Sequence, residues 1–415
     1  MDQVSGSIVR ANAGLHARTL DKTALAQALT HSRARTLKLF SAYEEALGPD
    51  LMVPCTPELN PPLWELGHIG WFADWWIARN PQRDQGSRAD PVIPRAPARQ
   101  ALAGVDADAL YNSSVVPHDR RWHLTLPDAT STRDALARSL DDTLMWLAQA
   151  PETDDGLYFF RLALFHEDMH AEAAVYMAQA LGFDPCEGHD KRWAISAASP
   201  VPAQISVPAG VVPLGHAGAG FAFDNELGPQ LKAVEAFDID ARQVSWAQYL
   251  AFVDSGSWAQ PRFWSEAGLA WRTSSGVRCP RYTRQTPRGW EHQHWGRWQA
   301  LDLNAPACHL SLFEAQAWCA WAGRRLPTES EWIAASLQPG FAWGQVWEWT
   351  ASAFAPFPGF EPHPYRDYSQ PWFDGRPVLK GASTATDPRL MHRQYRNYFT
   401  PERNDIFAGF RSVAC

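Results

Sequence analysis

Residues 154–182 read DDGLYFFRLALFHEDMHAEAAVYMAQALG. Apolar side chains recur at three and four, an acidic pair opens the run and Gly182 closes it, so the spacing predicts one long helix. Leu162, His166, Met169, Ala173 and Met177 share one stripe of that helix. His166 and His170, four apart, therefore sit on its apolar face, where two imidazoles can meet one metal ion.

Three further runs upstream carry the same period: DKTALAQALTHSRARTLKLFSAYEEAL (21–47), PELNPPLWELGHIGWFADWWIARN (57–80) and TSTRDALARSLDDTLMWLAQA (130–150). Four helices of this length, each with one apolar face, predict an antiparallel four-helix bundle over residues 21–190, preceded by an N-terminal tail over 1–20. The Pro-rich connection over 81–130 is expected to wrap an edge of it. In the second run His68 shares a stripe with Trp64, Trp71, Phe72 and Trp75. An interior imidazole needs a partner, and for His68 alone a backbone carbonyl would serve. Three such residues on facing helices point instead to a metal ion with open positions, for which zinc, copper, nickel or iron are suitable. HEDMH also satisfies HExxH, with Glu167 as the base of a zinc peptidase. Against that reading, the third histidine lies far upstream in a helical segment.

After Arg192 the texture changes. A linker is expected over 191–204 and a second domain over 205–415, with short strand-like runs (QISVPAGVVPLG, FDIDARQVSW, RPVLKGAST, IFAGFRSVA) among Gly, Pro and Trp. Two helices are predicted there, in VSWAQYLAFVDSG and SLFEAQAWCAWAG. The chain is thus multidomain, α followed by α+β, as 415 residues at roughly 150 per domain suggest. A net charge of -8 gives no stripe for nucleic acid and no polybasic membrane address. Six cysteines lack any regular spacing, against a disulfide framework or thiolate zinc site. MDQVSGSIVRANAG lacks an apolar signal core, so a cytoplasmic protein is expected. The 21 tryptophans suit aromatic pockets for cations.

The first half resembles the DinB-like four-helix bundle. Residues 205–415 resemble the formylglycine-generating-enzyme (sulfatase-modifying factor) fold, a relative of C-type lectins, through HLSLFEAQAWCAWAGRRLPTESEWIAA, WGQVWEWTASAFAPFPGF, VLKGAST and YRNYFTPERNDIFAGFR. LPTESEWIAA and WEWT read mainly as fold signatures, with Glu329 capping a helix. Both halves in this order resemble the non-haem iron sulfoxide synthases of ergothioneine biosynthesis and their relatives, the selenoneine synthases. Formylglycine generation itself needs a late cysteine pair, and no Cys stands between Cys319 and Cys415.

The resemblance implies that His68, His166 and His170 hold Fe(II), and that hercynine, a chalcogen donor and O2 react to form a carbon–sulfur or carbon–selenium bond at imidazole C2. It also implies that Asn397 holds the hercynine carboxylate and that Tyr398 lies near the trimethylammonium group, where a packed aromatic beside a strand is the plain alternative. Tyr365 or Tyr368 would be the proton donor, with the choice open. Departures from the family pattern bear on the donor. Arg120 matches the first of two arginines that grip γ-glutamylcysteine, but His123 stands at the second position, Phe399 replaces an aspartate and Met169 replaces a glutamine. Loss of these grips points to a selenosugar, with Trp122, Phe399 and Trp372 as candidate walls. The expected activity is therefore that of a selenoneine synthase, with an ergothioneine-type sulfoxide synthase using γ-glutamylcysteine or cysteine as the alternative. A non-catalytic lectin-like binding protein is the alternative of another class, and it would not require Fe(II).

Overall fold

The computed structural model describes residues 13–185 and 203–415. The expected tail over 1–20 lies outside the described residues up to position 12, and the expected linker over 191–204 lies outside them up to position 202.

Helix α1 spans Lys22–Leu47, with the Asp21 carboxylate accepting from the Ala24 amide at 2.8 Å. Helix α2, Pro62–Ala73, starts with proline in its first turn and continues as a π-helical turn over Asp74–Ala78. Helix α3, Ala129–Gln149, is capped by Asp128. Helix α4, Asp154–Leu181, is capped by Thr153 and ends at Gly182 in the left-handed region, where φ is 82°.

Side-chain bonds give the helix directions. Ser32 meets Asp168 and Tyr43 meets Ala174, so α1 and α4 run parallel. Arg33 reaches the Leu136 carbonyl and Arg133 reaches Glu44, so α1 and α3 are antiparallel. Glu65 meets His170 while Trp76 stacks on Phe159, so α2 and α4 are antiparallel. It follows that α2 and α3 run the same way, which corrects the alternating order expected from sequence. The long connection between them returns the chain to the starting end of the bundle. Part of it is ordered locally, by a hairpin over Gln100–Leu102 and Val105–Asp106 and a short helix over Ala107–Tyr111.

The second half contains β1 (Gln204–Val207), β2 (Gly210–Leu214), β3 (Gln230–Val234), β4 (Phe237–Asp240), β5 (Thr283–Thr286), β6 (Gly289–His294) and β7 (Arg297–Ala300). It continues with β8 (Arg324–Arg325), β9 (Trp347–Ala353), β10 (Pro377–Lys380), β11 (Asn397–Tyr398), β12 (Ala408–Gly409) and β13 (Val413–Ala414). Two four-stranded sheets form, ordered β8-β13-β4-β1 and β11-β10-β9-β12, beside the pair β2-β3 and the meander β5-β6-β7. Helices are α5 (Trp246–Asp254), α6 (Glu266–Ser275), α7 (Leu312–Ala322) and α8 (Glu329–Ser336), of which α6 was not expected from sequence. The cap of α8 is Thr328, boxed with Glu331; Glu329 is instead buried against Arg396 at 3.0 Å and Lys380 at 3.5 Å.

Buried polar ties lock the halves together. Arg18 forks onto Glu226 with two bonds of 2.7 Å. Arg389 donates to Asp168 at 2.7 Å. Glu172 accepts from Trp347 Nε1, Ser383 Oγ and Thr386 Oγ1 at 2.7, 2.9 and 2.8 Å. An apolar core continuous through both halves lies around these ties. Together they fix α4 against residues 383–389 and bring the 363–372 segment over the helix that carries His166. Among the described residues no helix is long and apolar enough to cross a membrane.

Candidate metal centre

The stripe on α4 and the stripe on α2 face each other, and their imidazoles converge. One nitrogen from each of His68, His166 and His170 lies within 4.8 Å of the others, and the Nε2 atoms of His166 and His170 are 3.1 Å apart. That spacing is what two adjacent ligands take when each is about 2.1 Å from one ion. His68 Nδ1 lies 2.8 Å from the Tyr111 carbonyl, which can only accept, so that nitrogen carries the proton and Nε2 keeps its lone pair. His170 Nδ1 lies 2.5 Å from Glu65 Oε2 and donates to it, with the same result.

Stacking fixes the ring planes. Phe72 lies face to face with His166 at 3.6 Å and 5°, and Trp64 stacks on His68 at 4.8 Å and 10°. Burial, with His170 beside it, pushes His68 down to about 3, and the same causes hold His166 well below its ordinary range. Both rings are therefore neutral at pH 7 and available as ligands. Burial pushes the Glu65 carboxyl up, but His170, His68 and Arg121 outweigh it and leave it below the usual carboxylate range. The donor set fits a divalent metal of intermediate softness, Fe(II) included. Glu167 is not free to act as a peptidase base: it is buried and forked onto Arg33 at 2.8 and 3.1 Å.

Of the two candidate tyrosines, Tyr365 is the one whose ring meets the cluster, 6.3 Å from His166 and 5.0 Å from Phe72. Tyr368 is turned elsewhere. Its ring stacks on Phe223 at 4.3 Å and its hydroxyl donates to Tyr395 at 3.2 Å. Met169 is enclosed by the same pair, its sulfur 3.3 Å from the Tyr395 hydroxyl and 3.8 Å from that of Tyr368. Asn397 and Tyr398 form β11, paired with β10. Asn397 Oδ1 accepts from the Tyr398 amide at 2.9 Å, while the Tyr398 ring stacks on Phe354 at 4.1 Å and its hydroxyl donates to the Tyr368 carbonyl. Tyr398 thus braces the turn that carries Tyr365. Phe399 is half-buried under the Arg403 guanidinium, 5.0 Å from its ring.

Arg120 and His123 are exposed on a 3-10 turn. The neighbour Arg121 is the one that faces the centre. Its guanidinium lies 3.7 Å over the Trp64 ring, its charge acts on Glu65, His68 and Tyr365, and its buried Nε has no partner among the described residues. Of the candidate walls, Trp122 bonds to the Val53 carbonyl and Trp372 is exposed at 39%. The sequence reading also missed Glu65, Tyr111 and Tyr395. Glu65 was within reach, since it precedes His68 by three and so shares its helix face.

Residues 192–342 and 341–414 match the family described as sulfatase-modifying factor enzyme 1-like domain. The hercynine oxygenase of Mycolicibacterium thermoresistibile is 30% identical over 441 residues, covering 93% of this chain and 94% of that relative. The hercynine oxygenase of Mycobacterium tuberculosis is 30% identical over 443 residues, covering 93% and 97%. The formylglycine-generating enzyme of Streptomyces coelicolor is 25% identical over 281 residues, covering 50% and 88%. The three-histidine centre thus sits in a chain that is similar to hercynine oxygenases along nearly its whole length, and the chain belongs to their family.

Proposed function

We propose that the protein is an O2-dependent, non-haem Fe(II) enzyme of the selenoneine synthase type, joining C2 of the hercynine imidazole to the selenium of a selenosugar. The observation that carries the iron-enzyme reading is the convergence of His68, His166 and His170, with the lone pairs of His68 and His170 directed inward by Tyr111 and Glu65. Hercynine as substrate is carried over from the name of the relatives. Fe(II) bound by the three imidazoles would supply the redox chemistry that couples dioxygen to oxidation of the chalcogen donor. In the net reaction the C2–H and Se–H bonds break as C2–Se forms, a two-electron oxidation in which O2 takes up both electrons and both protons as hydrogen peroxide.

The chain's own groups prepare that reaction. Burial keeps the Tyr365 hydroxyl protonated, which suits a proton donor beside the cluster. Asn397 offers an amide for the hercynine carboxylate. Phe72 packs on the His166 ring, and Trp64 and Trp71 on that of His68, which holds both imidazole planes.

On the donor side, neutral surroundings support the selenosugar. Arg403 above Phe399 is already paired with Asp405 at 2.6 Å, and Arg281 is paired with Glu58 at 2.7 Å. Neither cation is left to grip the ends of an amino-acid thiol, whereas hydroxyls and apolar ring faces suit such walls. One observation favours the second reading, an ergothioneine-type sulfoxide synthase: the unpartnered Nε of Arg121 could serve a carboxylate of γ-glutamylcysteine or cysteine.

A donor competition separates the two. Fe(II)-loaded protein would receive hercynine with equal selenosugar, γ-glutamylcysteine and cysteine, then O2, and products would be resolved by mass spectrometry. A dominant hercynine–selenium product is expected. A dominant sulfoxide replaces the first reading with the second, and no hercynine adduct at all rejects both.

A further inference from the structure

Behind His170, between α1, α2 and α4, the bundle holds a partly open cavity of about 40 Å³. Its wall is almost wholly apolar, made by Leu39, Leu66, Ile69, Ala174 and Met177 among others. Ala174 and Met177 continue the α4 stripe one and two turns beyond His170, and small side chains at Ala171 and Ala174 leave the space open. His170 belongs both to this wall and to the histidine cluster.

The few polar groups at the wall are mostly spent. Tyr43 donates to the Ala174 carbonyl at 2.6 Å, and Glu65 holds His170. Among the described residues the Thr36 hydroxyl is buried at this wall without a partner. One water needs about 10–15 Å³ and about two to four polar partners, so the cavity is large enough for water but too poor in partners to keep it. Dry apolar cavities take up small nonpolar molecules instead.

We propose that this cavity binds dioxygen and delivers it to the histidine cluster past His170. The proposal rests on the reading that the enzyme consumes O2. The site selects its ligand by what it lacks: a diatomic with no hydrogen-bonding demand fits where water does not.

Crystals pressurised with xenon test the cavity itself, and steady-state kinetics against O2 test its use. Xenon is expected in the wild-type cavity, excluded by Ala174→Leu and enriched in Leu39→Ala. Ala174→Leu should raise the KM for O2 about fivefold, by cutting the fraction of molecules with the gas in place, and leave kcat at saturating O2 unchanged. Absence of xenon from the wild type overturns the proposal. So does exclusion of xenon by Ala174→Leu with no change in the KM for O2. Should Ala174→Leu fail to fold, Leu39→Ala carries the test, and more xenon with an unchanged KM for O2 again overturns it. A wild type that consumes no O2 with hercynine and any donor overturns the functional reading and this proposal together, a result distinguishable because xenon binding is read without turnover.

Discussion

Glu65 Oε2 and His170 Nδ1 lie 2.5 Å apart, on helices that run antiparallel, with the carboxylate buried beneath the imidazole it orients. A carboxylate behind a ligating histidine fixes the tautomer and makes the ring a better donor, and losing such a partner typically costs 10–100-fold in metal affinity. Glu65→Gln should therefore weaken binding of a divalent metal at the three histidines by about 10-fold or more. Competition against a chelator, with circular dichroism as the control for folding, reads this directly. Affinity equal to wild type would mean that Glu65 is only a buried packing group.

Gly67, next to His68, is where Tyr111 approaches α2. A Cβ there would lie 2.2 Å from the Tyr111 ring, so Gly67→Ala must displace the residue whose carbonyl holds His68 Nδ1. Overpacking of this kind costs about 1–3 kcal/mol. The expected outcome is a lower denaturation midpoint together with weaker metal binding. An unaltered midpoint with normal metal affinity would show that Tyr111 can move without disturbing His68.

The helical half was legible because its period is strong and its caps are local: Asp21, Asp128, Thr153 and Gly182 each mark an end within one turn. Helix direction was not legible, since it depends on where a long irregular connection re-enters the bundle. The histidines could be found because an imidazole on an apolar stripe stands out, and Glu65 could have been added by the same rule. Tyr111 and Tyr395 could not, for the first contributes a backbone carbonyl and the second lies in an irregular segment with no period. Arg120 was assigned from the family resemblance, and a motif match does not show which of two adjacent arginines on a tight turn faces inward. In the second half, α6 buries only Gly268 and is otherwise polar, so it carries no apolar stripe to mark it between the strands.

Glu314 gives a pH signature away from the centre. It closes the capping box of α7 with Ser311, accepting from the Ser311 amide and hydroxyl at 2.8 Å each. Burial, only partly offset by the Ser311 bonds, pushes its carboxyl up to about 7 from an ordinary 4.5. Between these values the folded protein holds a proton that the unfolded chain has released, so stability falls as pH rises. This contribution is fully present below 4.5 and lost through about 7. Glu314→Gln keeps the box and removes the titration. Unfolding free energy measured from pH 4.5 to 7.5 should fall less steeply in the variant, by up to about 1.4 kcal/mol per pH unit. Parallel curves would place the carboxyl at its ordinary value.

Tyr365 and Tyr368 stand three residues apart and are distinguished by what each hydroxyl already does. Tyr368 is bonded to Tyr395 and stacked on Phe223, which are structural engagements. Tyr365 lies against Phe72 with its ring nearest His166, and burial keeps its hydroxyl protonated. Removal of a proton donor typically costs about 10²–10⁴-fold in rate, whereas one lost hydrogen bond costs about 1 kcal/mol of stability. On the proposed function, Tyr365→Phe should then lower kcat about 100-fold while metal affinity and the denaturation midpoint hold. Tyr368→Phe should do the reverse, lowering the midpoint slightly and sparing kcat. Loss of turnover in Tyr368→Phe with Tyr365→Phe fully active would exchange the two roles, and would mean that Tyr368 leaves Tyr395 when substrate binds.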